Sequence, residues 1–236
     1  SSSQAFGNVG GLASLAGIDI TSGSGGNVAK ALKKARTFSF FKENILPNIF
    51  LPDLVAMNSW DEENNTIIYN EKIFNQKTQT WSSLPSDQKS HRWFLNIINL
   101  KEDNNGFVTV SVKHRSPYVA RAWTELIVDQ LNNFYRNKDK TEAQLAIDFL
   151  NTQMLQTRHT EIKQVIAQLI QQRMQQLTLI EANKFYVFSY LDPPLVEEQK
   201  IEPNRKSISI LGAVLGVLLG IFIVLIKHYL GYRKLN

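Results

Sequence analysis

The sequence predicts an α+β chain with one very long helix and a C-terminal transmembrane helix, and three observations carry that reading. A β-branched run, GFVTVSVKH, follows Gly106 and reads as a strand, with Phe107, Val108, Val110 and Val112 in it. From Tyr118 to Asp192 neither glycine nor proline occurs, and apolar residues recur at helical spacing. From Ile208 to Ile226 no residue carries a charge: 19 residues, or about 28 Å of helix against a hydrocarbon core of about 30 Å.

In chain order, residues 1–26 hold seven of the twelve glycines and read as a Gly/Ser-rich loop with one apolar island, GLASLAGI. Residues 27–116 read as an α/β domain. NVAKALKKARTFSFFKEN is expected to be one helix capped by Asn27, with Val28, Leu32, Ala35, Phe38 and Phe41 on one face and Pro47 as its stop. Residues 52–90 are polar, with Trp60 and Trp81 as isolated anchors and TIIYN as a short strand.

Ser116–Pro117 is a helix-start signal, because serine caps and proline tolerates the first turn. The helix is expected over 117–183, roughly 65 residues and about 100 Å long. Such a helix must pack sideways on copies of itself or on another chain. Ile162, Val165, Ile166 and Leu169 are its expected oligomer contacts. The glutamines of QVIAQLIQQRMQQLTLI leave two readings open: a solvated face, or an uncharged polar surface toward a subunit or a neutral glycan.

Residues 184–206 read as a return strand, with Phe185, Val187 and Ser189 alternating against Tyr186, Phe188 and Tyr190, and then a linker. Pro193, Pro194 and Pro203 mark the approach to the membrane. The transmembrane helix is expected over 207–227, with Gly212, Gly216 and Gly220 spaced four apart on one packing face. Residues 228–236 form the tail. Lys227, Arg233 and Lys234 with no acid put that tail in the cytoplasm by the positive-inside rule, and residues 1 to about 205 outside it.

Composition narrows the chemistry. Net charge is +5, but the basic residues are scattered without interleaved aromatics, which argues against nucleic acid. Absence of cysteine removes disulfides, thiol nucleophiles and Cys-ligated metals, and fits an oxidising compartment. The histidines, His91, His114, His159 and His228, have no ligand-like spacing and read as surface residues. Acidic runs at Asp61–Glu62–Glu63, Glu102–Asp103 and Glu197–Glu198 read as solvated turns, and SGSGGN lacks the Lys-Ser/Thr of a phosphate loop. No catalytic, cofactor-binding or metal-binding residue is expected. The chain opens on Ser1, and SSSQAF has no signal-peptide pattern, so a membrane segment is expected upstream.

Four segments in order resemble the Wzz family, the polysaccharide co-polymerases or chain-length determinants of Gram-negative inner membranes. GGLASLAGI resembles the family's glycine-rich segment, and ALKKARTFSFFKENILPNIF resembles its ALxxLxSRxFxxxFIxxxxLLPxLF signature. GFVTVSVKHRSPYVARAWTELIVDQLNNF is similar to the strand leading into its long helix, and YLDPPLVEEQKIEPNRKSISILGAVLGVLLG to the approach to its second membrane helix. The resemblance implies a first membrane helix upstream, a periplasmic α/β base domain near the inner membrane and a long helix rising from it. It also implies a homo-oligomeric ring of about eight subunits, closed as cyclic assemblies are.

The function it implies is non-enzymatic: setting the length of a lipid-linked surface polysaccharide, such as lipopolysaccharide O-antigen, made by a Wzy-type polymerase. No cofactor is implied. Two other classes stay open. A periplasmic adaptor of a secretion or efflux system would need two long antiparallel arms and flanking β-rich domains, and a single arm is legible. A membrane-anchored glycan enzyme would be recognised by turnover of glycan by the isolated protein.

Overall fold

A computed structural model describes residues 24–197 and 205–232. The chain divides into two compact units, residues 1–196 and 197–236. The first mixes helices and strands, as an α+β chain should.

Helix α1 (Ser24–Ala35) begins before Asn27, which therefore lies inside it rather than capping it. It also ends earlier than its apolar spacing suggests. Thr37 adopts extended backbone and caps the next piece, its Oγ accepting the Phe40 N–H at 3.3 Å. Helix α2 (Phe38–Phe40) runs into a π-helical turn, Phe41–Ile45, and a 3-10 turn, Leu46–Asn48, that contains Pro47. The wider π turn brings Phe40, Phe41 and Ile45 all into the core. Helix α3 (Leu51–Val55) follows.

Two small antiparallel hairpins come next: β1 (Met57–Asp61) with β2 (Thr66–Tyr69), and β3 (Phe74–Asn75) with β4 (Thr80–Trp81). The expected strand in TIIYN is β2. Trp60 and Trp81 are not isolated. Trp60 donates to Asn65 at 3.0 Å, and Trp81 lies 5.0 Å from Phe74, which also meets Tyr69 and Phe50. Asp61 accepts the Glu63 N–H at the β1–β2 turn, so that acidic run is a turn as expected.

Helix α4 (Asp87–Ile97) is capped by Ser86 and leads directly into β5 (Ile98–Glu102), which pairs antiparallel with β6 (Val108–Val112). Asp103 closes that hairpin by accepting from Asn105 and Phe107, and Gly106 takes φ +82° in the turn. The register sets Ile98 opposite Val112 and Leu100 opposite Val110. Ile98, Leu100 and Val112 join Ala35, Phe40, Phe41, Ile45 and Phe94 in one hydrophobic core. Trp123, Ile127 and Leu131, at helical spacing on the next helix, complete it.

That next helix begins where Ser116–Pro117 indicates. Helix α5 spans Pro117–Gln156, and the Ser116 hydroxyl accepts the Val119 N–H. It does not continue to 183. Thr157 and His159 take extended backbone, and helix α6 (Thr160–Ala182) starts anew. Lys140 pairs with Glu181, and the Tyr186 hydroxyl donates to Asp139 at 2.7 Å, so the chain doubles back on itself. The expected single helix of about 100 Å is thus a hairpin, with arms of 40 and 23 residues, the longer about 60 Å. Folding back lets the chain bury Ala143, Ile147, Ile166 and Ile180 within itself, which one straight helix would leave in water.

The expected return strand is absent: residues 183–197 are irregular and no strand pairs with them. Their partner is a side chain, the Asn132 amide. Glu197 is in this irregular chain; Glu198, Pro203 and the segment 1–23 with its apolar island lie outside the described residues.

The second unit holds helix α7 (Arg205–Tyr232), 28 residues long. Its side chains are described over 209–225, and every one of them is exposed. Among the described residues no helix is long and apolar enough to cross a membrane; the uncharged run of the sequence, Ile208–Ile226, reaches past that window at both ends.

Candidate functional site: the helical hairpin and its clasp

Helix α5 carries apolar side chains on two opposed faces. Ala143 and Ile147, four apart, are 3% and 8% exposed. Leu145 and Phe149, two residues further along and so roughly 200° around the helix, are 63% and 62% exposed. One stripe is used inside the hairpin, and the other is left in water at the hydrophobic cost of large exposed side chains. Helix α6 also leaves apolar side chains outside, with Ile166 and Ile180 buried and Val165 and Leu179, one residue earlier and so about 100° around the helix, exposed.

The four expected oligomer contacts therefore divide. Ile166 is buried and Leu169 half-buried, so they belong to the hairpin's own packing, whereas Ile162 and Val165 are exposed. Gln164, Gln168, Gln171 and Gln175 are all exposed. Leu145, Phe149 and Leu179 were missed because a single helix was expected to have a single apolar stripe.

The hairpin is held closed near its base by a clasp. Asn132, 3% exposed, accepts the N–H groups of Val187 and Phe188 at 2.8 Å each and donates to the Phe188 carbonyl at 2.9 Å. Burial, and then the Asp139 carboxylate, push the Tyr186 hydroxyl above its usual range, so it stays protonated and donating. Lys140, by bonding and charge, holds the Glu181 carboxyl below its usual value.

A second junction lies where β6 meets α5. The His114 ring donates through Nε2 to the Asp53 carbonyl at 3.2 Å and accepts the Ser116 N–H at Nδ1, 3.1 Å away, and its centroid lies 5.3 Å from that of the tilted Trp123 ring. Burial lowers the His114 pKa, against the raising effect of its hydrogen bonds and of the Asp53 charge. Asp53 in turn accepts from the Tyr69 hydroxyl, and burial raises the Asp53 pKa despite that bond. His91 is also a packing residue, bonded to the Arg36 carbonyl at 3.0 Å and packed on Phe38 and Phe41. Both correct the surface reading; His159 is exposed as expected, and the His228 side chain lies outside the described ones. Among the described residues no group of three His, Asp or Glu is placed to hold a metal ion.

In the second unit, Gly212, Gly216 and Gly220 fall on α7, and a Cβ added to any of them would meet nothing within 4 Å. They form an open strip. Pro193 and Pro194 lie in irregular chain after the clasp.

Compared with known proteins, the chain matches no family model and no curated protein.

Proposed function

We propose that this chain is a non-enzymatic, inner-membrane scaffold of the Wzz kind, which regulates the length of a lipid-linked surface polysaccharide extended by a Wzy-type polymerase. The observation that carries the reading is the opposed pair of apolar stripes on α5. Ala143 and Ile147 are satisfied by the chain's own fold, while Leu145 and Phe149 call for a second partner. A neighbouring copy supplies one: where the outer stripe of α5 meets the exposed Val165 and Leu179 of α6 on the next copy, the contact joins two different faces, and such a repeated head-to-tail contact closes into a ring. The four ordered sequence resemblances point to the same assembly and to the periplasmic side of a Gram-negative inner membrane.

The anchor in this reading is α7. Its sequence is uncharged over 208–226, and Ser209 is the single hydroxyl among the exposed side chains 209–225. Residues of that kind are stable in hydrocarbon and costly in water. The basic tail then faces the cytoplasm.

The adaptor reading gains one observation, since the hairpin provides two antiparallel arms. It lacks the flanking β-rich domains, because the described strands form three separate two-stranded sheets. Deleting the gene and resolving the cell's surface glycans on a gel tests the scaffold reading. Loss of a preferred glycan length is the expected result; an unaltered ladder together with failed export or efflux supports the adaptor.

A further inference from the structure

Beside the clasp, α5 and the segment after α6 enclose an open cleft of about 220 Å³ lined by Asp129, Asn132, Asn133, Arg136, Lys184 and Phe185. Asp129, Asn132, Asn133 and Arg136 share one face of α5, at spacings of three and four residues, along about 10 Å of helix. The clasp fixes the opposite wall. By holding Val187 and Phe188 to the helix, Asn132 sets Lys184 and Phe185 against that face. Asn132 itself is spent on these bonds. Arg136 donates through one Nη to the Asn133 Oδ1 at 2.8 Å, which steers its guanidinium and leaves the Asn133 amide N–H groups out of that bond. Lys184 Nζ sits over one face of the Phe185 ring, 5.7 Å from its centroid, and the Tyr190 ring meets Phe185 edge to face at 5.9 Å.

The chemistry of this set is specific. Nothing in the lining is aliphatic, so an acyl chain has no floor to lie on. Two cations against one carboxylate are too few for a nucleic-acid track. An exposed aromatic face beside amide and carboxylate groups suits a ring with an apolar face and a rim of hydroxyls. The two cations suit a carboxylate on that ring.

We propose that this cleft is a binding subsite for one acidic pyranose, a sugar ring bearing a carboxylate, within a polysaccharide. The sugar's apolar face lies on the face of Phe185 that Lys184 leaves open, the carboxylate between Arg136 and Lys184, and the hydroxyls meet Asp129 and Asn133. The inference rests on the scaffold reading for its glycan, and it goes beyond it by naming a site and a sugar class.

Titration of the full chain in mild detergent with methyl β-glucuronide, followed by saturation-transfer NMR, tests it. Methyl β-glucoside and acetate serve as comparators. The glucuronide is expected to bind more tightly than either. Arg136→Gln or Lys184→Gln should weaken it about tenfold or more, the loss of one charged hydrogen bond, and erase the preference over the glucoside. Phe185→Ala should weaken both sugars; the side chain is exposed, so the fold survives, which circular dichroism checks. Equal binding of acetate, or no saturation transfer from the wild-type protein to either sugar, overturns the subsite. So do variants that bind the glucuronide as the wild type does. The surface-glycan ladder is a separate readout. An altered ladder in the deletion strain with no sugar binding removes the subsite and leaves the scaffold, and sugar binding with an unaltered ladder does the reverse.

Discussion

Asn132 and Phe188 exchange two hydrogen bonds across a sequence separation of 56 residues: Nδ2 to the Phe188 carbonyl at 2.9 Å, and the Phe188 N–H back to Oδ1 at 2.8 Å. One side-chain amide thus does for the returning chain what a neighbouring strand would do in a sheet. With the Val187 N–H added, three backbone groups depend on it.

Asn132→Leu should therefore open the segment after α6. Each backbone group left buried without a partner costs about 1–3 kcal/mol, less where water reaches it. Hydrogen exchange at the Val187 and Phe188 amides should accelerate while the β5–β6 amides stay protected. Unchanged protection at both amides would show that the clasp does not hold this segment.

The His114 junction predicts a pH dependence. Burial depresses the folded-state pKa of His114 below its ordinary value of 6.5. Around and below that value the unfolded chain takes up the proton first, so stability falls as pH falls. The contribution is fully present above pH 6.5 and is lost as pH drops through the folded pKa. Asp53, whose pKa is raised, acts with the opposite sign: its contribution is fully present below its ordinary value of 3.8 and is lost as pH rises through its folded pKa. Melting temperature should decline from pH 7.5 to 5.5, taken as about one unit either side of the histidine range, and His114→Gln should flatten that slope. An identical slope in wild type and variant would assign the acid sensitivity elsewhere.

The two stripes of the hairpin should separate in mutants. Ile166→Ala empties a buried position and should cost about 2–5 kcal/mol of stability. Leu169→Asp, at a half-buried position, should also loosen the hairpin, because it brings a charge against packed chain. Phe149→Asp alters an exposed position and should leave melting unchanged while reducing the particle mass measured in mild detergent. Gln171→Ala should change neither. A full-mass oligomer from Phe149→Asp together with Leu145→Asp would remove the outer stripe from the assembly.

The glycine strip of α7 has room for side chains within this chain, so Gly216→Leu should insert and fold normally. If the strip is a packing face toward another membrane helix, glycan length should shift while membrane insertion survives. Wild-type ladders from both Gly216→Leu and Gly212→Leu would show that nothing packs there.

Much of the local structure was written in the sequence. The Ser116–Pro117 start and the acidic turn at Asp61 rest on contacts within a few residues, and the β2 and β6 strands pair across short hairpins with neighbours close in sequence. The β5 strand was legible in principle, as the alternation of Ile98 and Leu100 after Phe94, but its pairing with β6 is not marked by its own residues. Of the candidate cleft, Phe185 and Asn132 carry no sequence signal, because their roles depend on residues some 50 positions away.

The bend at Thr157–His159 shows where sequence reading ends. No glycine or proline marks it, since extended backbone is open to every residue, and the local preference for helix is continuous on both sides. What ends the helix is the gain from burying Ala143, Ile147, Ile166 and Ile180 against each other's arm, a gain that exists only after the chain has turned back. The sequence by itself determined that a long helical segment follows the β6 strand and that an uncharged run lies near the C-terminus. Tertiary structure alone decided that the segment is two arms, which of its apolar residues are spent between them, and which remain exposed. Propensity acts within a turn or two of helix, whereas the choice of partner is made by surfaces that meet only when the chain is folded.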